Sequence, residues 1–117
     1  MSPLAIGAII TGLGVILGAF GAHALKTQLT PESLAVFETG VRYQMYHGLG
    51  IIALAANPLS KHFRSAIQCL TLGTVIFSGS LYALVFTNLK IFGAITPMGG
   101  TLLIIGWILI AIKALHK

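Results

Sequence analysis

One stretch of an otherwise apolar chain carries several side chains able to donate, accept or carry a proton. They include Glu38, Arg42, Tyr43, Gln44, Tyr46 and His47. Glu38 precedes Arg42 by four positions, which on a helix is the favourable order for an ion pair. A charge at the centre of a bilayer costs about 2.5–3.5 kcal/mol on insertion scales, so these groups must face protein or water. Two interpretations stay open: an ion pair that satisfies itself and orients the helix, or a functional site that contains the pair.

Catalytic and metal-binding alternatives find little support in the sequence. Asp is absent, and neither a phosphate-binding loop nor a CxxC or HExxH motif occurs. Ser78 or Ser80 could be paired with His47 as nucleophile and base, but no hydrolase motif surrounds them. His23 and His47 differ in expected depth by about 12 Å, too far to hold one haem iron between them. We therefore expect no cofactor and no metal, and we favour a non-enzymatic function while leaving an enzymatic one open.

The composition indicates an integral membrane protein. Hydrophobic residues make up 56% of the 117 residues and charged residues only 8%, whereas soluble domains carry about 25% charged residues. The net charge of +5 comes from basic residues scattered along the chain. They form no basic stripe, which argues against nucleic-acid binding. The single cysteine, Cys69, can form no intrachain disulfide and is interpreted as a small packing residue.

Hydropathy and helix-start signals divide the chain into four membrane-spanning helices within a single domain, residues 1–117. The first apolar stretch can cross a hydrocarbon core of ~30 Å. Since it lacks a positively charged leader, it is interpreted as a retained span and not as a signal peptide. Thr30-Pro31 and Thr96-Pro97 each resemble an N-cap followed by proline at the first helical position. The fold class predicted is an all-α, integral membrane four-helix bundle with short loops and antiparallel neighbouring spans, at about residues 3–25, 31–56, 65–89 and 97–116.

The basic residues predict an orientation for these spans. Loops on the cytoplasmic side carry an excess of Lys and Arg. With the N-terminus inside, Lys26 and Lys90 lie on the outer face, and the inner face carries Lys61, Arg64, Lys113 and Lys117. We therefore expect a multi-pass protein of the plasma or inner membrane with both termini in the cytoplasm.

Polar residues from three predicted helices fall at similar depths. At a rise of 1.5 Å per residue, His23, Glu38 and Tyr82 lie about 26–28 Å from the inner ends of their helices, and His47 lies at about 15 Å. This convergence predicts a polar layer in the outer third of the bilayer. The candidate ligand-binding residues of this layer are His23, Glu38, Arg42, Tyr43, His47, Ser78, Ser80 and Tyr82.

One face of the first helix consists of small residues. At 100° per residue, Gly7, Gly14, Gly18 and Gly21 fall on one side, and large apolar residues occupy the other. Small faces let helix backbones approach closely in lipid. The glycine face is therefore predicted to pack within the bundle, with a homodimer interface as the alternative.

Several stretches of the sequence resemble one known family. They are GAFGAHAL (Gly18–Leu25), FETGVRYQMYH (Phe37–His47), FSGSLYAL (Phe77–Leu84), TPMGG (Thr96–Gly100) and the pair Gly106-Trp107. In this order they are similar to the family catalogued as domain of unknown function 423, whose eukaryotic relatives are called transmembrane protein 256. The resemblance implies a four-helix protein of the bacterial cytoplasmic membrane. It implies no activity and therefore no catalytic residues.

Two functional hypotheses follow. In the first, the protein binds or helps to transport a lipid or another small polar ligand, which the polar layer receives from the outer side. In the second, the protein is a structural or assembly subunit, and its polar layer only fixes helix packing. Its expected partners are the lipid bilayer, a ligand of the kind just described, and further copies of itself or a larger membrane complex.

Overall fold

The computed structural model describes residues 1–116 and places nearly all of them in helices. Lys117, one of the cations used to predict the orientation, lies outside the described residues. A 3₁₀ turn at Ser60–Phe63 precedes the third long helix. The four long helices are α1 (Pro3–Leu25), α2 (Pro31–Ala56), α3 (Arg64–Thr87) and α4 (Lys90–Leu115). The prediction of an all-α, four-helix membrane protein is confirmed.

Three of the four helices are long and apolar enough to cross a membrane: α1, α3 together with its 3₁₀ turn, and α4. The exception is α2, which is as long as α4 at 26 residues but carries the polar residues of the chain's middle section. α2 packs against both α1 and α3. A Cβ atom added at Gly50 of α2 would lie 3.5 Å from the indole of Trp107 in α4. Neighbouring helices therefore cover one side of α2, whereas its other side, with Glu38, Arg42 and Tyr46, is exposed.

The first two helices begin at side-chain caps. The Ser2 hydroxyl accepts a hydrogen bond from the Ala5 N–H at 3.2 Å, and the Thr30 hydroxyl accepts one from the Ser33 N–H at 3.1 Å. A proline follows each cap at the first helical turn, where its missing N–H removes no helical hydrogen bond. The helix start predicted at Thr30-Pro31 is confirmed.

The end of α3 differs from the prediction. The helix stops at Thr87 instead of Leu89 because Asn88 adopts a left-handed conformation with φ of 58°. Asparagine is one of the few residues that tolerate this conformation, which commonly ends a helix. The Thr87 hydroxyl accepts a hydrogen bond from the Leu89 N–H at 3.2 Å and closes the turn.

The start of α4 was also predicted wrongly. Residues 90–95 were expected to form a short loop before a helix beginning at Pro97, but the helix already begins at Lys90. Thr96 is therefore not an N-cap, and its hydroxyl donates to the Phe92 carbonyl inside the helix at 3.0 Å. Pro97 lies within α4 and removes one backbone hydrogen bond from it. In membrane helices an interior proline is tolerated more readily than in soluble ones.

Glycines set the close approach of α3 to α4. A Cβ atom added at Gly99 would overlap the backbone nitrogen of Phe77. A Cβ at Gly106 would come within 2.7 Å of Leu70 Cδ2, and one at Gly73 within 2.8 Å of Leu103 Cδ2. Backbone contact of this kind is available only to residues without side chains.

Apolar side chains lie both inside and outside the bundle. Five of the buried ones form a cluster at the end of α2 opposite its N-terminus: Ile51, Phe63, Ile67, Leu70 and Leu103. Phe37, Leu81 and Val85 are buried outside this cluster. Large side chains on the outside include Phe20 and Ile104, which are 72% and 62% exposed. In a membrane these outward side chains face hydrocarbon, where their exposure has no hydrophobic cost.

Candidate functional site

The interior hydrogen bonding of the bundle is centred on Gln44, a residue that the sequence analysis did not select. Its amide nitrogen donates to the Ile10 carbonyl of α1 at 2.9 Å, and its amide oxygen accepts from the Tyr82 hydroxyl of α3 at 2.6 Å. Gln44 therefore joins three helices. The sequence does contain a signal for its position, because Gln44 lies seven residues from both Phe37 and Ile51, and those two side chains are fully buried.

His47 forms a second interior connection, from α2 to α4. The Trp107 indole N–H donates to His47 Nε2 at 3.0 Å. Since an indole can only donate, Nε2 must accept, and the imidazole carries its proton on Nδ1. Nδ1 then donates to the Tyr43 carbonyl at 2.7 Å. Both ring nitrogens are occupied by the protein's own groups.

The two candidate serines also bond within the bundle. The Ser78 hydroxyl donates to the Gly40 carbonyl at 2.7 Å and links α3 to α2. The Ser80 hydroxyl lies 2.6 Å from the Thr96 hydroxyl and 2.9 Å from the Phe77 carbonyl, so that it links α3 to α4. In the described structure neither serine is hydrogen-bonded to His47. Their geometry is that of interhelical connections and not of an activated nucleophile.

The structure divides the predicted polar layer into an interior and an exterior set. His47, Ser78 and Ser80 are buried, and the half-buried Tyr82 points at Gln44. By contrast, the exposed members are His23, Glu38, Arg42 and Tyr43. Because the two sets face different surroundings, they cannot form one common ligand shell.

Within the exterior set, Glu38 and Arg42 share one groove. The groove has a volume of about 230 Å³ and is lined by Gly18 and Ala22 of α1 together with Glu38, Val41 and Arg42 of α2. Tyr43 lies outside it, with its ring centroid 4.6 Å from that of Phe77. Nor does His23 belong to the groove lining.

Arg42 does not pair with Glu38, although the sequence favoured such a pair. The guanidinium Nη2 of Arg42 instead donates to the Thr39 hydroxyl at 3.2 Å. Thr39 is one helical turn before Arg42, and its own hydroxyl donates to the Ala35 carbonyl at 3.0 Å. A guanidinium has five N–H donors, so most of those on Arg42 remain free to bind another group in the groove.

The α1 wall of the groove departs from α-helical geometry. Between Leu17 and Gly21 the helix widens into a π-helical turn, in which the Ala22 N–H bonds to the Leu17 carbonyl five residues back. Gly18 within this turn faces α2, and a Cβ added there would lie 3.1 Å from Val41 Cγ1. Single π turns inside α-helices occur frequently at functional sites.

The glycine face of α1 is covered by α2. Cβ atoms added at these glycines would meet side chains of α2, namely Ile52 from Gly7, Met45 from Gly14, Val41 from Gly18 and Phe37 from Gly21. The four glycines therefore lie at a helix–helix contact inside one chain. An interface with a second copy would have to use another surface.

Among residues 1–116, no cluster of three or more His, Cys, Asp or Glu side chains has the geometry of a metal site. His62 bonds elsewhere, with Nε2 3.1 Å from the Lys113 carbonyl. This contact holds the loop before α3 against the end of α4.

Comparison with known proteins identifies the family. The sequence profile described as "Protein of unknown function (DUF423)" matches residues 17–100. The chain belongs to the DUF423 family. It is 47% identical over 110 residues to a UPF0382 membrane protein of Staphylococcus haemolyticus, covering 92% of this chain and 90% of the relative.

Two further relatives show the breadth of the likeness. The UPF0382 membrane protein YwdK of Bacillus subtilis is 47% identical over 113 residues, covering 93% of this chain and 92% of the relative. The UPF0382 inner membrane protein YgdD of Escherichia coli is 39% identical over 115 residues, covering 95% and 88%. No solved structure matches the chain. The family resemblance expected from the sequence motifs is confirmed, and so is the membrane nature of the protein.

Proposed function

We propose that this DUF423 protein is a non-enzymatic lipid-binding module of the cytoplasmic membrane, whose groove between α1 and α2 takes a zwitterionic headgroup. The observation that carries this proposal is the shared groove of Glu38 and Arg42, in which the two opposite charges do not neutralise each other. The Glu38 carboxylate would accept hydrogen bonds from a primary ammonium. The Arg42 guanidinium would bind the phosphate.

The position of the groove along α2 supports a headgroup as the occupant. Arg42 lies about 22 Å along the helix from Asn57, and Glu38 about 28 Å. These distances reach from one side of a ~30 Å hydrocarbon core to the opposite interface, where the headgroups of the outer leaflet lie if both termini are cytoplasmic. The small side chains of Gly18 and Ala22 leave room for such a group beside α1.

Binding of phosphatidylethanolamine and phosphatidylcholine distinguishes the role of each charge. Both headgroups carry a phosphate, but only ethanolamine has N–H donors for Glu38. We expect the purified protein to retain phosphatidylethanolamine in native mass spectra about tenfold better than phosphatidylcholine. One hydrogen bond to a charged group changes an affinity by about this factor. Glu38→Gln should abolish the preference, and Arg42→Gln should weaken retention of both lipids.

Glu32→Gln is the matched control. Glu32 is also exposed and acidic and lies in the first turn of α2, but it does not line the groove. This variant should keep the preference for phosphatidylethanolamine. Unchanged lipid retention in both groove variants would overturn the proposed function.

The alternative is a structural or assembly subunit, and the contacts of Gln44 favour it. Gln44 and His47 bond to groups of neighbouring helices and leave nothing directed at a ligand. Under this alternative, variants of Gln44 alter folding or assembly. Variants of Glu38 and Arg42 leave folding, assembly and the amount of bound lipid unchanged. Blue native electrophoresis of the same variants measures assembly with further copies or a larger complex.

A further inference from the structure

A second and larger cleft lies at the opposite end of the bundle from the Glu38–Arg42 groove. It has a volume of about 670 Å³ and is bounded by the start of α1 on one side and by the 3₁₀ turn and first turns of α3 on the other. α1 and α3 both pack against α2. The cleft is the space that remains between their ends.

The mouth of this cleft is positively charged. Lys61 and Arg64 line it, and both side chains are exposed. The only acidic side chains in the sequence are Glu32 and Glu38. Both lie in the first half of α2, whereas the cleft lies beside the other end of that helix, so neither can neutralise the two cations.

Along α3 the lining begins at charged Arg64 and ends at apolar Leu72, and Ile67 adds a further apolar side chain between them. Arg64 and Leu72 lie at the two ends of the α3 wall, about 12 Å apart along the helix. Between them Gln68 and Thr71 contribute polar atoms, and Ile6 of α1 faces them from the other wall. The groups of a phospholipid follow an order that complements this wall: an anionic phosphate, then ester oxygens, then an acyl chain.

We propose that this cleft binds an anionic phospholipid, with its phosphate between Lys61 and Arg64 and one acyl chain along Ile6 and Leu72. Basic pockets between membrane helices are suited to such headgroups, because each Lys or Arg near the surface adds attraction for anionic lipid. The site does not depend on the groove at Glu38 and Arg42. Its charge selects an anionic lipid, whereas that groove selects a zwitterionic one.

Native mass spectrometry of the full chain with phosphatidylglycerol and phosphatidylcholine tests the charged part of the site. We expect the Lys61→Gln/Arg64→Gln double variant to retain phosphatidylglycerol about thirtyfold less well than the parent. This loss is the attraction that two cations at the interface exert on an anionic lipid. The Lys26→Gln/Lys90→Gln double variant removes the same charge from the other end of the bundle and should retain the lipid as the parent does. Equal losses in both double variants would show attraction by overall charge and overturn the site.

A second pair of variants tests the apolar part. Leu72→Trp fills the cleft, whereas Val75→Trp places the same aromatic side chain on α3 outside it. Leu72 is 56% exposed and Val75 is 59% exposed, so neither change disturbs the core. Only Leu72→Trp should reduce lipid retention. Full retention in that variant, or displacement of phosphatidylglycerol by millimolar inorganic phosphate, would overturn the proposal, the latter in favour of a free anion. Circular dichroism of each variant confirms that the helices are intact.

Discussion

At the scale of single residues, the interior of the bundle depends on polar side chains that hydrogen-bond across helices, although the buried Thr11 hydroxyl has no hydrogen-bond partner among the described residues. Gln44 is the clearest example, because its amide donates to one helix and accepts from another. Away from water, an unpaired polar group has no alternative partner. The hydrogen bonds of Gln44 therefore select one rotational setting of α2 relative to its neighbours.

Replacement of Gln44 by leucine should destabilise the protein by about 1–3 kcal/mol, because the Tyr82 hydroxyl loses its acceptor. Tyr82→Phe should cost about 0.5–1.5 kcal/mol. The double variant should be less destabilised than the sum of the two, with a coupling of about 0.6 kcal/mol, the average for interhelical hydrogen bonds in a membrane protein. Unfolding in mixed detergent micelles, followed by circular dichroism, measures all three.

Gln28→Leu provides the control for these variants. Gln28 is exposed in the loop between α1 and α2, so its replacement should change stability by less than about 0.5 kcal/mol. Strict additivity of Gln44→Leu and Tyr82→Phe would mean that the two side chains do not interact.

At the scale of helices, glycines decide which pairs can approach closely. The α1 glycines lie nearest to side chains of α2, although Gly7 also approaches the α2 backbone at Gly48, whereas the atom nearest to Gly99 of α4 belongs to the backbone of α3 itself. A side chain can rotate away from an added methyl group, but a backbone nitrogen can move only with its helix. The contact at Gly99 is therefore the least adaptable of these glycine contacts.

Gly99→Ala should separate α3 from α4 and lower the free energy of unfolding by about 1–3 kcal/mol, the usual range for overpacking. Gly79→Ala is the matched change, since Gly79 has no atom within 4 Å of an added Cβ. This second variant should be neutral or slightly stabilising, because alanine favours helices. Thermal unfolding of the two proteins in the same detergent compares them. Equal midpoints would contradict the close packing at Gly99.

The helices also show what the sequence could and could not predict. Apolar length and the Thr30-Pro31 cap located α1 and α2, because these signals are local. The start of α4 was misplaced because Thr96-Pro97 resembles a cap locally, whereas the turn at Asn88 decides where the helix begins. The π-helical turn of α1 carries no comparable signal in its composition.

For the candidate site, helical periodicity assigned polar residues to helix faces but could not give their surroundings. It placed Glu38 and Arg42 on one helix face, and they do share a groove. It could not show that Arg42 turns to Thr39, since that choice depends on side-chain rotamers. Gln44 was missed because its role depends on contacts with Ile10 and Tyr82, each more than thirty positions away.

At the scale of the whole molecule, the two ends of the bundle differ in net charge. The end where α1 starts and α4 finishes carries Lys61, Arg64 and Lys113. The hydrogen bond between His62 and the Lys113 carbonyl shows that the loop before α3 and the end of α4 lie on the same side. The opposite end carries both acidic side chains together with Lys26, Arg42 and Lys90. This asymmetry supports the proposal that both termini lie in the cytoplasm.

Cysteine labelling in intact cells tests this orientation. In a Cys69→Ala background, a cysteine at position 26 should react with a membrane-impermeant maleimide added outside. A cysteine at position 61 should react only after the cells are opened. Both native side chains are exposed, so accessibility within the fold does not limit either reaction. The reverse labelling pattern would place both termini outside.

The polar character of α2 has a consequence for how the chain enters the membrane during synthesis. A helix that falls short of the hydropathy of its neighbours gains little by partitioning into lipid alone. When α2 leaves the ribosome, only α1 has been made, and Tyr82 and Trp107, the partners of Gln44 and His47, have not yet been translated. α2 must therefore wait at the insertion machinery or beside α1 until α3 and α4 follow, so in a nascent chain that stops near Ala56 we expect α1, and not α2, to hold the chain in the membrane.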